Sequence, residues 1–163
     1  MEVSDVITAL DLTPLDIEGG FFNELYRSGH EIVLNGRTRC LGTSIYYLLD
    51  GSSKSDWHRV ENDEIWYYHA GSPAVQLLLF PDGSWKEVII GPDLMAGQLP
   101  QSVIPAGTWQ AAVLLDSSDK SWGLFGASVF PGFEYADFEL GQGNNLALEF
   151  ESARSRMADL GLL

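Results

Sequence analysis

One stretch of the 163-residue chain carries side chains able to move a proton: Trp57-His58-Arg59-Val60, then Glu64-Ile65-Trp66-Tyr67-Tyr68-His69. Imidazole has an ordinary pKa near neutrality, and a carboxylate beside it completes an acid–base or ligand pair. If residues 57–60 and 64–69 are paired strands, alternation puts His58 and Val60 on one face and Glu64, Trp66 and Tyr68 together on one face of the next. His58 and Glu64 are therefore the candidate catalytic pair, with Trp66 and Tyr68 as a ligand-binding aromatic wall. The competing reading is a solvated loop histidine beside an exposed glutamate. His69 has the opposite parity to Glu64 and is expected to point away. His30, in the turn-like Ser28-Gly29-His30, reads as surface.

These residues need strands to place them. Val3, Val6, Ile7 and Leu10 recur at helical spacing until Pro14 ends the pattern. The period then changes. Extended stretches follow at 21–27, 31–34, 44–49, 57–60, 64–69, 75–80, 85–90, 102–104, 109–115 and 122–130, and Pro81-Asp82-Gly83-Ser84 supplies hairpin-turn chemistry. Roughly ten short strands with turn signals about every 8–12 residues predict a β-sandwich or barrel. Leu146, Phe150, Ala153 and Met157 fall on one helical face, which predicts a closing helix after the loop-like Gln142-Gly143-Asn144-Asn145, with last residues that fray. No repeat or linker interrupts residues 1–163, so a single domain is expected, its core at about 15–140.

Composition narrows the partners. There are 23 acidic against 9 basic residues, a formal charge of −14, and the basic residues are scattered, with only Arg37 and Arg39 and Arg154 and Arg156 close in sequence. Such a surface repels phosphate backbones and anionic headgroups, so neither nucleic acid nor membrane is an expected partner. Cys40 is the only cysteine, which rules out an intrachain disulfide; with no leader-like pattern in Met1-Glu2-Val3-Ser4-Asp5, a cytoplasmic location is expected. Nothing matches a P-loop, a dinucleotide fingerprint, zinc-finger spacing or a Gly-x-Ser-x-Gly elbow. Glu18-Gly19-Gly20 reads as a loop whose glycines allow positive φ, and the reach of Glu18 stays open. Trp66, Trp109, Trp122, Phe133 and Tyr135 read as core, or as stacking platforms if they face a cavity.

The 51–71 stretch resembles the first motif of the cupin superfamily: a Gly, His-x-His, Glu three or four residues on, and Gly after six more. Here it reads His58-x-Val60, then Glu64, then Gly71. The second cupin motif, Pro-x-Gly-x-x-His, is echoed by Pro105-Ala106-Gly107-Thr108-Trp109-Gln110. A closer likeness is to the fifth cupin family, a cupin-like group of unknown function. It is carried by Glu18-Gly19-Gly20-Phe21-Phe22-x-Glu24-x-Tyr26-Arg27-Ser28, Trp57-His58-x-Val60, Asp63-Glu64-Ile65-Trp66, Pro105-Ala106-Gly107-x-Trp109-Gln110, and Pro131-Gly132-Phe133-x-Tyr135-x-Asp137-Phe138.

The resemblance implies an all-β fold, a cupin double-stranded β-helix (jelly roll) with short N- and C-terminal helices. It implies that His58, Glu64 and Gln110 converge on one point and that the Arg27 segment borders the same pocket; Arg27, and Phe133 as an aromatic platform, are the further ligand-binding candidates. Metal-binding cupins present three His and one Glu, whereas two of those His positions here read Val60 and Gln110. His58, Glu64 and Gln110 are thus only weak metal candidates, and no cofactor is expected. The expected function is small-molecule binding, with a metal-independent isomerase or epimerase-like activity on a sugar-like or polar substrate, distantly similar to sugar-nucleotide epimerase cupins. The alternatives are a metal-dependent isomerase or dioxygenase and a non-catalytic binding or sensor module. A homodimer is expected by analogy, and because Ile45, Tyr47 and Leu49 on one face and Tyr46 and Leu48 on the other offer apolar side chains to both sides of a sheet.

Overall fold

The structure, a computed structural model, describes residues 1–163. One sheet holds six strands in the spatial order β1 (Thr13–Pro14), β2 (Phe21–Arg27), β5 (Thr43–Asp50), β12 (Trp122–Phe130), β7 (Asp63–Gly71), β10 (Gln101–Ile104). The other holds five, in the order β13 (Phe138–Leu140), β6 (Lys54–Val60), β11 (Trp109–Leu114), β8 (Ala74–Leu79), β9 (Trp85–Ile90). A small hairpin, β3 (Glu31–Leu34) with β4 (Arg37–Cys40), stands apart from both. The architecture is the expected jelly roll, with one correction: the two sheets keep free edges and are not closed into a hydrogen-bonded barrel.

The ten expected strands are present, with bounds shifted by a few residues at most. Three more escaped the pattern. β1 and β13 are two and three residues long, and β4, Arg-Thr-Arg-Cys, shows no apolar alternation.

Three helices cover the outer faces. α1 (Val3–Ala9) lays Val6 against Leu48, with Leu12 beside it, on the outside of the six-stranded sheet. α2 (Gly143–Glu149) and α3 (Arg154–Asp159) set Leu146, Phe150, Ala153, Met157 and Leu162 against Trp57, Leu77, Leu79 and Trp109 on the outside of the other sheet. This is why β8 is buried at every position: Leu77 and Leu79 face the helices while Ala74 and Leu78 face the second sheet.

Two expectations change here. Gly143, Asn144 and Asn145 belong to α2 rather than to a loop, and the end of the chain does not fray: Leu162 is buried and its carbonyl accepts a 2.7 Å hydrogen bond from the Trp57 indole. The two-sided apolar pattern of β5 also has an explanation inside one chain. Ile45, Tyr47 and Leu49 pack in the inter-sheet core, and Tyr46 and Leu48 lie under α1. That pattern is no argument for a partner subunit.

Candidate functional site

The inner faces of the strands are filled at one end and hollow at the other. Along β5, Tyr47 and Leu49 are core while Ile45 and Thr43 line a cavity. Along β12, Phe125 is core while Ala127 and Val129 reach the cavity, and along β7 Trp66 is core while Glu64 reaches it. Phe22, Glu24, His58 and Val60 complete this inner surface from β2 and β6. Alternation puts these side chains on one inner face, and along that face a packed core gives way to a hollow of about 300 Å³.

Two bulges refine that alternation. β2 shifts register between Glu24 and Tyr26, so Arg27 pairs with Thr43 and turns inward on the same side as Glu24. β6 shifts register against β11 between the His58 and Ser55 pairings, so both of those side chains face inward while Trp57 points out to the helices.

His58 is 3% exposed. Its Nδ1 lies 2.7 Å from the Asp56 carbonyl, which can only accept, so Nδ1 carries the proton and the free lone pair of a neutral ring is on Nε2. Nε2 stands 3.6 Å from Glu18 Oε2, and the ring stacks on Phe138 with centroids 5.5 Å apart. Burial pushes the Glu18 carboxyl above the usual carboxylate range, opposed by His58 and reinforced by Glu64.

Glu18 reaches this place because of its two following residues. Gly19 and Gly20 have φ of 98° and 74°, and a Cβ on Gly19 would meet the Lys54 carbonyl oxygen at 2.2 Å. The close approach lets Asp56 N–H donate to the Glu18 carbonyl at 2.7 Å, which fastens the loop to β6.

Glu64 is engaged elsewhere. Its Oε1 accepts from the Trp66 indole at 3.0 Å and its Oε2 from the Gln110 amide at 2.5 Å. Gln110 in turn accepts from Gln76 at 3.4 Å, and Gln76 accepts from the Ser102 hydroxyl at 2.7 Å. The chain's sense is fixed from the carboxylate end. An ionised carboxylate only accepts, so each amide must turn its NH₂ toward Glu64 and its oxygen away.

A roof closes the hollow. Phe133 and Tyr135 meet edge to face at 5.2 Å, and Phe133 meets Phe138 at 6.1 Å. Arg27 donates to Glu24, to Glu134 at 3.0 Å and to the Phe133 carbonyl at 3.1 Å. Arg39, on β4, grips both oxygens of Asp137 at 2.7 and 2.6 Å and holds that carboxyl below its ordinary pKa.

The expected site residues therefore separate. His58, Glu64, Arg27 and Phe133 line the cavity. Gln110 and Trp66 stand behind Glu64 as hydrogen-bond donors, and Tyr68 packs against Phe125 in the core with its hydroxyl on the Gly71 carbonyl. His69 and His30 are exposed. The partner of His58 is Glu18, not Glu64. Composition and period could not have named it, because Glu18 lies outside any strand; the glycine pair beside it was the available signal.

The donor chemistry of a metal-holding set does not fit this site. No group of three His, Cys, Asp or Glu side chains is placed to hold a metal ion. Val60 presents methyl groups to the cavity, and the Gln110 amide is committed at both ends.

Residues 4–141 match the family described as "Cupin superfamily (DUF985)", and the chain belongs to that family. Uncharacterized protein YML079W of Saccharomyces cerevisiae is 34% identical over 133 residues, which cover 74% of this chain. The chain spans 66% of that yeast protein's length. A hypothetical protein from Leishmania major superposes with a TM-score of 0.87 at 29% identity, over 98% of each chain. Protein SO0799 of Shewanella oneidensis gives a TM-score of 0.86 at 32% identity, over 98% of this chain and 97% of that one.

Proposed function

We propose that this cupin binds a small polar molecule in the hollow and shifts a proton on it with His58 and Glu18, as an isomerase or epimerase, without a resident metal. The observation that carries the reading is the orientation of His58: Nδ1–H tied to Asp56, Nε2 facing the cavity and Glu18. A C–H made acidic by a neighbouring carbonyl gives its proton to Nε2, and its bonding pair passes into the enol. The enol oxygen takes its proton from Glu18, which burial favours in the neutral form. Where that carbon carries a hydroxyl, the enediol takes the His58 proton at the former carbonyl carbon on the same face and gives the proton of its other hydroxyl to Glu18, which yields the isomer; an epimer forms only if the bound enol turns its other face to His58. Glu64, held from behind, is assigned to orienting the ligand rather than to proton transfer.

The lack of a fitting donor set supports metal independence. Purified protein is expected to carry far less than one equivalent of transition metal and to keep its fold in chelator; stoichiometric iron, zinc or manganese would overturn this. The buried Cys40 thiol supports a cytoplasmic location. Exposed apolar side chains, Leu25 and Tyr26 on β2 and Ile32, Val33 and Leu34 on β3, support a homodimer. No helix is long and apolar enough to cross a membrane.

Deuterium exchange tests the reaction. A carbonyl compound that binds in the cavity is expected to gain deuterium at carbon in D₂O with the wild-type protein. His58→Asn should stop the exchange while binding stays within about tenfold, or about 1.4 kcal/mol. Binding without exchange by any carbonyl ligand would turn the reading to a non-catalytic module, and exchange that survives His58→Asn would remove His58 as the base.

A further inference from the structure

The wall of the hollow is unbalanced in charge. With Glu18 held toward its neutral form and the His58 ring neutral, the carboxylates of Glu24, Glu64 and Glu134 face it against the single cation Arg27. Arg27 is spent: its guanidinium lies 3.0 Å from both Glu24 and Glu134, so it offers little to an incoming anion.

What remains is Glu64, and its surroundings fix its side chain in place. Donors reach both of its oxygens from the side away from the cavity, and the Ser102–Gln76–Gln110 chain holds one of those donors in a single sense. Ser102, Gln76, Gln110 and Trp66 are all at least 96% buried, so solvent cannot relax the arrangement. Glu64 itself is 7% exposed and opens on the hollow. A second polar group is also left over inside. His58, 3% exposed, makes its hydrogen bond through Nδ1, while Nε2 has only Glu18 at 3.6 Å, beyond hydrogen-bond reach.

The remaining walls mix aliphatic side chains such as Ile45, Val60 and Val129 with the aromatic rings of Phe133, Tyr135 and Phe138, and an aromatic ring attracts a cation to its face by its quadrupole. At about 300 Å³ the hollow lies at the small end of ligand pockets, and its carboxylates oppose a phosphorylated ligand. The formal −14 of the whole chain adds a field that draws cations in.

We infer that the ligand is a small organic cation, an amine-bearing molecule whose ammonium sits on Glu64 under the aromatic roof. The inference rests on the reading of the hollow as a ligand site and names the class of molecule that site takes. In the combined picture the ammonium anchors at Glu64 and the carbon to be deprotonated lies at Nε2 of His58.

The experiment uses matched triples of one carbon skeleton, such as benzylamine, benzyl alcohol and benzoate, or butylamine, butanol and butyrate. Binding is measured by ligand-observed NMR at neutral pH, with signals of Phe133 and Phe138 reporting the location. The ammonium member should bind at least about tenfold tighter than its alcohol, with the carboxylate weakest. Glu64→Gln should cut ammonium affinity by about tenfold and leave the alcohol within about threefold. Should that variant not fold, the wild-type ranking decides alone. Alcohols or carboxylates that bind as tightly as the ammonium compounds would overturn the cation inference while the ligand-site reading stands. Failure of every member of every triple to bind would overturn both.

Discussion

His58 Nε2 and Glu18 Oε2 stand 3.6 Å apart, although Glu18 belongs to a loop before β2 and His58 to β6 in the opposite sheet. No strand pairing joins the two. What brings them together is the backbone bond from Asp56 N–H to the Glu18 carbonyl, and the Asp56 carbonyl in turn fixes the imidazole. One residue of β6 therefore sets both the acid and the base.

The buried carboxyl leaves a signature in stability. Burial raises the Glu18 pKa in the folded chain, with His58 opposing. Below the ordinary carboxylate pKa of about 4.3 both states are protonated and the burial is tolerated. As pH climbs from there to the raised value, the unfolded chain ionises first and is favoured, so folded stability falls. Glu18→Gln removes this linkage. Thermal melts of the two proteins between about pH 4 and pH 8 should show the variant gaining on wild type as pH rises through that window. A difference that does not change with pH would contradict the assignment.

Behind Glu64, Gln110 is 1% exposed and bridges Glu64 to Gln76. Gln110→Ala strips a donor from a buried carboxylate and leaves the Gln76 amide unpaired. The expected loss is about 1–3 kcal/mol, read as a lower urea midpoint at unchanged slope. An unchanged midpoint would mean that water replaces the amide.

Much of the architecture was legible because alternation is physical. The faces of β5, β7 and β12 follow from period two, and the switch from core to cavity happens along the same faces. The position of His58 on an inner face was readable for that reason. Arg27 was named from resemblance, but its direction depends on the bulge after Glu24, which no periodicity reports. Glu18 was not assignable either, since only the chain's approach to β6 at Gly19 decides where a loop side chain goes. Likewise, the apolar residues of β5 told that both faces are buried, not that α1 does the burying.

The closing helices give a test of that last kind of inference. Met157 is 0% exposed, packed with Trp57, Trp109 and Phe150. Met157→Ala should cost about 2–5 kcal/mol in denaturant unfolding, with a single cooperative transition. A loss below about 1 kcal/mol would mean that the helices pack loosely on the sheet and are not part of the core.

The central claim, that His58 holds its proton on Nδ1 and its lone pair on Nε2 beside Glu18, can be read without a substrate. Imidazole ¹⁵N NMR of His58, in wild type and Glu18→Gln, measures each ring nitrogen separately. The account predicts a neutral ring with its proton on Nδ1 and its lone pair on Nε2, and an Nε2 chemical shift that the variant moves while Nδ1 stays protonated. A neutral ring with its proton on Nε2 and a bare Nδ1, or an Nε2 signal indifferent to Glu18→Gln, would contradict it.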